Sequence, residues 1–369
     1  MRGLIDSSKA IVEHREQDAD YKMSNEKKRI SEVVASWHAP VLIISSLVGR
    51  GNYSIGEAIR ECIGNQRVVY HIPIEHMLPL RAVHEDLNRY KFISDNLRFL
   101  LYLIYKVPLF YYRKFLREKL LGVTNLDMVE ETIRSKGVKT VVCVSHRPAF
   151  WLSVLKSRRK VDFRLCGILA EFGTNLGWRY IFWEAVDQYL SPVEKSQLRL
   201  PSYPAMEYVD IKPPCRDVFY ELAEIKGDAN KVLLVFGYWG QISAIKAGKV
   251  IRTVTQNNPL VHVYVVCGTN RTLFKRLTDN FRGNPRVIVY GAVESLAGLM
   301  RECACVITKP GFSTLVESFA AGRKIFLLRG MPVAEDNNAR YACEHFYAEW
   351  FTKDAFRSWY IAQRMSDND

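Results

Sequence analysis

Residues 306–341, VITKPGFSTLVESFAAGRKIFLLRGMPVAEDNNARY, decide how this chain is read. The short apolar run Cys305–Ile307 predicts a strand that ends in the turn Lys309-Pro310-Gly311. A helix is then expected near Ser313 and Thr314, whose hydroxyls suit a cap, with Glu317 one turn further in. A second strand, Lys324–Leu328, leads into a polar loop, Ala334–Asn338. A strand, a glycine turn, a capped helix start and an inward carboxylate together suit a nucleotide. The helix start offers N–H groups and a positive dipole end to phosphate oxygens, and the carboxylate can accept both hydroxyls of a ribose. The pattern points to nucleotide-sugar chemistry.

Similar alternation extends in both directions. Upstream, strands are predicted at 231–237, 261–268 and 286–291, with helical segments between them. They form one α/β unit over 219–345, followed by a C-terminal helix over 346–369. The segment 201–218 is rich in proline (Pro201, Pro204, Pro213, Pro214) and reads as an irregular linker. Before it, apolar runs at 41–45, 67–73, 140–145, 163–169 and 188–192 predict a second α/β unit over 39–200, preceded by a polar helical lead-in over 1–38. Strands alternating with helices imply parallel sheets covered on both faces. Two such halves imply two Rossmann-like domains facing a cleft.

At 369 residues the chain is long enough for two domains. Its net charge of +13 implies anionic partners, without choosing among nucleic acid, anionic lipid and phosphates. Residues 1–35 are charged throughout and lack the apolar core of a signal peptide. No apolar run reaches the ~18 residues of a membrane span, so a cytoplasmic protein is expected. The eight cysteines are scattered without a CxxC pair and read as free thiols rather than as a zinc site. The segment 89–120 differs in character: aromatic and apolar residues are interrupted by Arg98, Lys106, Arg113, Lys114, Arg117 and Lys119, with Pro108 breaking the helix. It is too charged to span a bilayer and fits a basic surface helix pair at an anionic membrane. The alternative is a buried hairpin whose charged heads reach water.

The motifs ITKPGxxTxxE (307–317), CGTN (267–270), YGAVESLAGLM (290–300) and NARY (338–341) occur together, with looser matches at GRGN (49–52), AEFGTNLGW (170–178) and VDQYLSP (186–192). In these the chain resembles GT-B glycosyltransferases of the group that holds monogalactosyldiacylglycerol synthase, diacylglycerol glucosyltransferases and the peptidoglycan GlcNAc transferase. The resemblance runs from about residue 40 to 345 and implies a UDP-sugar in the C-terminal domain. It places Val293 at the uracil edge and Glu317 on the ribose hydroxyls. Gly311, Ser313 and Thr314 would cradle the diphosphate, with Gly237 and Gly240 in the loop below it and Asn270 beside them. Glu335 and Asp336 would reach the sugar hydroxyls. Helix-end N–H groups can stabilise a leaving diphosphate, so no metal is required.

The chain departs from the family where a base is expected. The histidine after the N-terminal glycine loop is Asn52, and that of the second acceptor motif is Asn175. An amide takes no proton at neutral pH. The remaining candidates for the base are Glu171, at the end of the strand 163–169, and His146, in the turn after 140–145. Glu171 is preferred, because ligands collect at the carboxyl ends of strands in open α/β sheets. The expectation is an inverting hexosyltransferase, peripheral to the membrane, acting on a lipid or amphipathic acceptor held near Arg113, Lys114, Arg117 and Asn175. A non-catalytic binder of nucleotide sugar or lipid, and a UDP-sugar epimerase of the same architecture, are the alternatives. A nucleic-acid protein is not expected, since no RRM, KH or helix-turn-helix signature accompanies the charge.

Overall fold

A computed structural model describes residues 27–47, 50–77, 126–173, 178, 181–198, 203–256, 258–330 and 334–366. The segment 89–120 and its basic residues lie outside them, as do Asn175 and most of the lead-in.

The first half runs α1 (Ile30–Val34), β1 (Val41–Ser45), α2 (Gly51–Ile63), β2 (Val69–Pro73), α3 (Asp127–Ser135), β3 (Thr140–Cys143), α4 (His146–Arg159), β4 (Arg164–Ile168), β5 (Gln188–Ser191) and β6 (Glu207–Asp210). Its strands pair in parallel in the order β2-β1-β3-β4-β5-β6. The run VLIIS forms a central strand because all five of its residues are buried, which is what a sheet covered on both faces demands.

After α5 (Asp217–Tyr220), the second half runs β7 (Asp228–Val235), α6 (Ala244–Gln256), β8 (His262–Val266), α7 (Arg271–Asn280), β9 (Val287–Tyr290), α8 (Ala297–Glu302), β10 (Cys303–Thr308), α9 (Phe312–Ala320), β11 (Lys324–Leu327), α10 (Ala334–His345), β12 (Glu349–Trp350) and α11 (Lys353–Ser366). This sheet is parallel too, in the order β12-β11-β10-β7-β8-β9. Alternate residues of β7 face opposite layers. Leu233 and Val235 join a core that continues into the first half, whereas Val232 and Leu234 join a separate layer with Phe326, Phe356 and Tyr360.

The structure differs from the sequence reading in three places. The proline-rich segment 201–218 contains β6, the edge strand of the first sheet. The polar run from Ala334 is the first turn of α10 rather than a loop. The tail is the short strand β12 followed by α11, not one helix over 346–369.

Strand order reverses between β1 and β3 in the first sheet and between β7 and β10 in the second. Ligands of open α/β sheets sit at such reversals, beyond the carboxyl ends of the strands. In this chain the ends of β7 and β10 deliver Gly237 and Lys309-Pro310-Gly311, and those of β1 and β3 lead to the start of α2 at Arg50-Gly51-Asn52 and to His146.

Candidate active site

A cleft of about 460 Å³ lies between the two halves. The second half contributes Gly237 and Tyr238 after β7, Gly268 after β8, Ala292–Leu296 after β9, and Ser313, Thr314 and Glu317 from α9. The first half contributes Arg50, Gly51, Tyr53, Ser54 and Glu57 from the start of α2, and Arg216 enters from the crossover between the halves.

Helix α9 begins after Gly311, an N-cap residue with no side chain to offer its amides. Ser313 and Thr314 are its second and third residues, so the expected hydroxyl cap is absent and the first-turn amides keep the orphan character of a helix start. The halves meet closely here: a Cβ built on Gly51 would lie 2.9 Å from Ser313 Oγ. Glu317, one turn in, is buried. Its Oε1 accepts from Ser54 Oγ at 2.6 Å and from the Arg216 guanidinium at 3.4 Å. Burial holds the Glu317 carboxyl above the usual carboxylate range, an effect that Ser54 and Arg216 partly offset.

Gly237 (φ 75°) and Gly240 (φ 56°) both adopt left-handed backbone, which glycine takes without a steric penalty. Their turn rests on the end of β8: Thr269 N donates to Tyr238 O at 2.6 Å, and Asn270 Nδ2 donates to Gly240 O at 3.0 Å. Asn270 Oδ1 also caps α7 by accepting from Leu273 N at 2.9 Å. Asn270 and Gly240 thus shape the loop and are not among the residues that line the cleft, whereas Gly237 and Val293 are.

The remaining expected residues are not among those that line this cavity. Glu335, in the first turn of α10, is buried and pairs with Lys309 Nζ. Its neighbour Asp336 is exposed. Glu171 follows β4 in a turn that docks on α10: Phe172 N donates to Asn338 Oδ1 at 2.8 Å, and the Phe172 ring stacks on Tyr341 at 3.8 Å. Asn52 is the second residue of α2 and half-buried. His146 opens α4; burial, reinforced by the charge of Arg147, pushes its imidazole down to about 3. It is therefore neutral at neutral pH and a weak base, since proton abstraction favours a pKa near the working pH.

Sequence reasoning missed Ser54, Glu57, Arg50 and Arg216, because no local spacing announces residues that converge across a cleft. Glu57 has further support: His71 Nδ1 lies 2.5 Å from Glu57 Oε1 and His71 Nε2 lies 2.8 Å from Ser45 Oγ, with Tyr53 stacked on the imidazole at 4.5 Å.

Comparison with known proteins agrees with this fold. No protein-family profile matches the chain. A processive diacylglycerol beta-glucosyltransferase of Bacillus cereus is 24% identical over 319 residues, covering 82% of this chain and 79% of the relative. The crystal structure of Acinetobacter baumannii MurG superposes with a TM-score of 0.50 at 11% identity, covering 88% of this chain and 90% of that one. The glycotransferase of kitacinnamycin superposes with a TM-score of 0.51 at 12% identity, covering 89% and 93%. The chain has the GT-B fold and resembles the diacylglycerol glucosyltransferase group. In this GT-B chain, the uncapped start of α9 and the Glu317 carboxylate belong to the second half, and α2 faces them from the first.

Proposed function

We propose that this chain is an inverting glycosyltransferase that moves a hexose from a UDP-sugar to a lipid or amphipathic acceptor at a membrane surface, without a metal. One observation carries the reading: Gly237, Val293, Ser313, Thr314 and Glu317 converge on one cavity whose opposite wall is α2 of the first half. The similarity to a diacylglycerol beta-glucosyltransferase over most of both chains supports a lipid acceptor.

In this reading Glu317 accepts the ribose hydroxyls, and the Val293 backbone meets the uracil. The amides that open α9 face the diphosphate, where a fixed dipole end stabilises developing negative charge with little reorganisation. Glu335 and Asp336 reach the sugar from the start of α10. Glu171 is the proposed base, placed by the docking of its turn on α10 beside Asn338. It takes the proton of the acceptor hydroxyl as that oxygen attacks the anomeric carbon. The bond to the β-phosphate oxygen breaks on the opposite face, and its electron pair leaves on UDP.

The test is to incubate the full chain with UDP-glucose, UDP-galactose or UDP-GlcNAc and liposomes containing diacylglycerol, following glycolipid and released UDP, with calorimetry of UDP binding alongside. UDP binding with glycolipid formation is expected, and Glu171→Gln should abolish turnover while leaving UDP affinity unchanged. UDP binding without turnover identifies a non-catalytic binder, a reading favoured by the amides at Asn52 and Asn175. No UDP binding removes the donor site altogether.

A further inference from the structure

The motif that opened the sequence reading contains a cation to which no role has been given. Lys309 follows β10, and its backbone is pinned at the strand reversal. Thr308 Oγ1 donates to Val235 O at 3.0 Å, and Gly311 N donates to Lys309 O at 2.7 Å. The side chain lies under the Gly237 turn. A Cβ built on Gly237 would be 2.5 Å from Lys309 Cε and 3.5 Å from Nζ, and one built on Gly311 would be 3.9 Å from Nζ. The lysine is four-fifths buried and pairs with Glu335, which is still more buried.

This placement is electrostatically unusual. The ammonium sits where α9 and α10 both begin, behind the Gly237 turn that lines the cleft, so two positive helix ends and a full positive charge share one corner. Glu335 supplies the one carboxylate paired with Lys309 among the described residues. Such a corner favours a group carrying more than one negative charge, and the first residues of α9, from Phe312 to Glu317, separate it from the Glu317 wall.

We infer that Lys309 is a catalytic residue of the reaction proposed above, and the inference rests on that reading. Its ammonium donates hydrogen bonds to the diphosphate of the donor, and these strengthen as the bond between the anomeric carbon and the β-phosphate oxygen breaks and the electron pair settles on that oxygen. The lysine transfers no proton; the acceptor's proton goes to the base. A lysine acts on phosphate as a point charge. Glu335 holds the ammonium in position and trades it for the sugar hydroxyls when the donor binds. Sugar recognition and charge neutralisation are thereby coupled through one ion pair.

The experiment compares uridine with UDP by calorimetry on the wild type, Lys309→Met, Lys309→Arg and Glu335→Gln, with turnover measured in parallel. Uridine probes Glu317 and Val293 without phosphate. The expected result is that Lys309→Met leaves uridine affinity unchanged and weakens UDP by roughly 10- to 100-fold, the range of a charged hydrogen bond. Turnover should fall by at least as much, and Lys309→Arg should recover most of the UDP affinity. Glu335→Gln, which releases the ammonium from its partner, should tighten UDP several-fold relative to uridine. A wild-type ratio of UDP to uridine affinity in Lys309→Met, or in Glu335→Gln where the lysine variant does not fold, overturns the inference and leaves Lys309 as a brace for α10. A wild type that binds neither ligand overturns the donor-site reading instead.

Discussion

At the scale of single residues, Glu317 is under opposing demands. It is buried, which disfavours its charge, yet the ribose contact proposed for it requires the ionised form. Its folded pKa is raised by burial, against the partial offset from Ser54 and Arg216. The folded state therefore takes up the proton first as pH falls. The destabilisation from the buried charge is absent below the unfolded pKa, grows as pH rises toward the folded pKa and is complete above it. Melting temperature followed against pH should show this loss in the wild type and not in Glu317→Gln. Uridine affinity should weaken as pH falls through the same window. In Glu317→Gln it should be lower by about 2 kcal/mol, roughly 30-fold in Kd, and independent of pH; calorimetry with uridine avoids the titration of phosphate. Asn270 is a residue of the other kind, since its side chain caps α7 and holds the Gly240 carbonyl. Asn270→Ala should cost about 1 kcal/mol of stability in a thermal melt and weaken UDP only indirectly, through the turn.

At the scale of elements, the contact between the turn after β4 and helices α9 and α10 joins the two halves. Phe172 stacks on Tyr341 and meets Phe312 at 4.6 Å and Phe346 at 5.4 Å. Phe172→Ala should destabilise the protein by about 3 kcal/mol, the cost of emptying an aromatic site in a packed core. It should also lower turnover more than UDP affinity, because Glu171 is carried by the same turn; melting curves and kinetics on one preparation check both. Elements whose β-branched runs are buried on both faces, such as β1 and β7, were legible in the sequence, because burial leaves only one kind of residue in them. Strand β6 was hidden by the prolines around it, and its pairing with β5 is a long-range fact. Helix α10 begins Ala334-Glu335-Asp336-Asn337-Asn338, which reads as a loop; the buried apolar Ala339 and Ala342 come only later. That Ser313, Thr314 and Glu317 belong together was legible because they are close in sequence, and all three line the cleft. The cleft's other wall was not, because Ser54 lies 263 residues from the carboxylate it meets.

At the scale of the whole molecule, the charge of +13 has to be reconciled with a cleft proposed to bind one small anion. Much of the excess is available for a larger partner, and the basic aromatic segment with Arg113, Lys114 and Arg117 is the part of the chain proposed to meet it. Changing these three residues to Glu together should release the protein from anionic liposomes in a sedimentation assay and leave UDP affinity unaltered. Persistent sedimentation would place the membrane contact elsewhere. The architecture also bears on how the chain is made. Tyr360 reaches back across 130 residues to Asn230, in the strand that opens the second half, and Phe356 and Trp359 cover Phe326. During synthesis the first sheet has all its strands once residue 210 has emerged from the ribosome. In the second, α6 and α7 cover one apolar face early, and the part of it around Phe326 stays wet until α11 follows. A nascent chain paused between those points exposes apolar surface that the finished protein covers, both around Phe326 and where the core of the first half continues into the second.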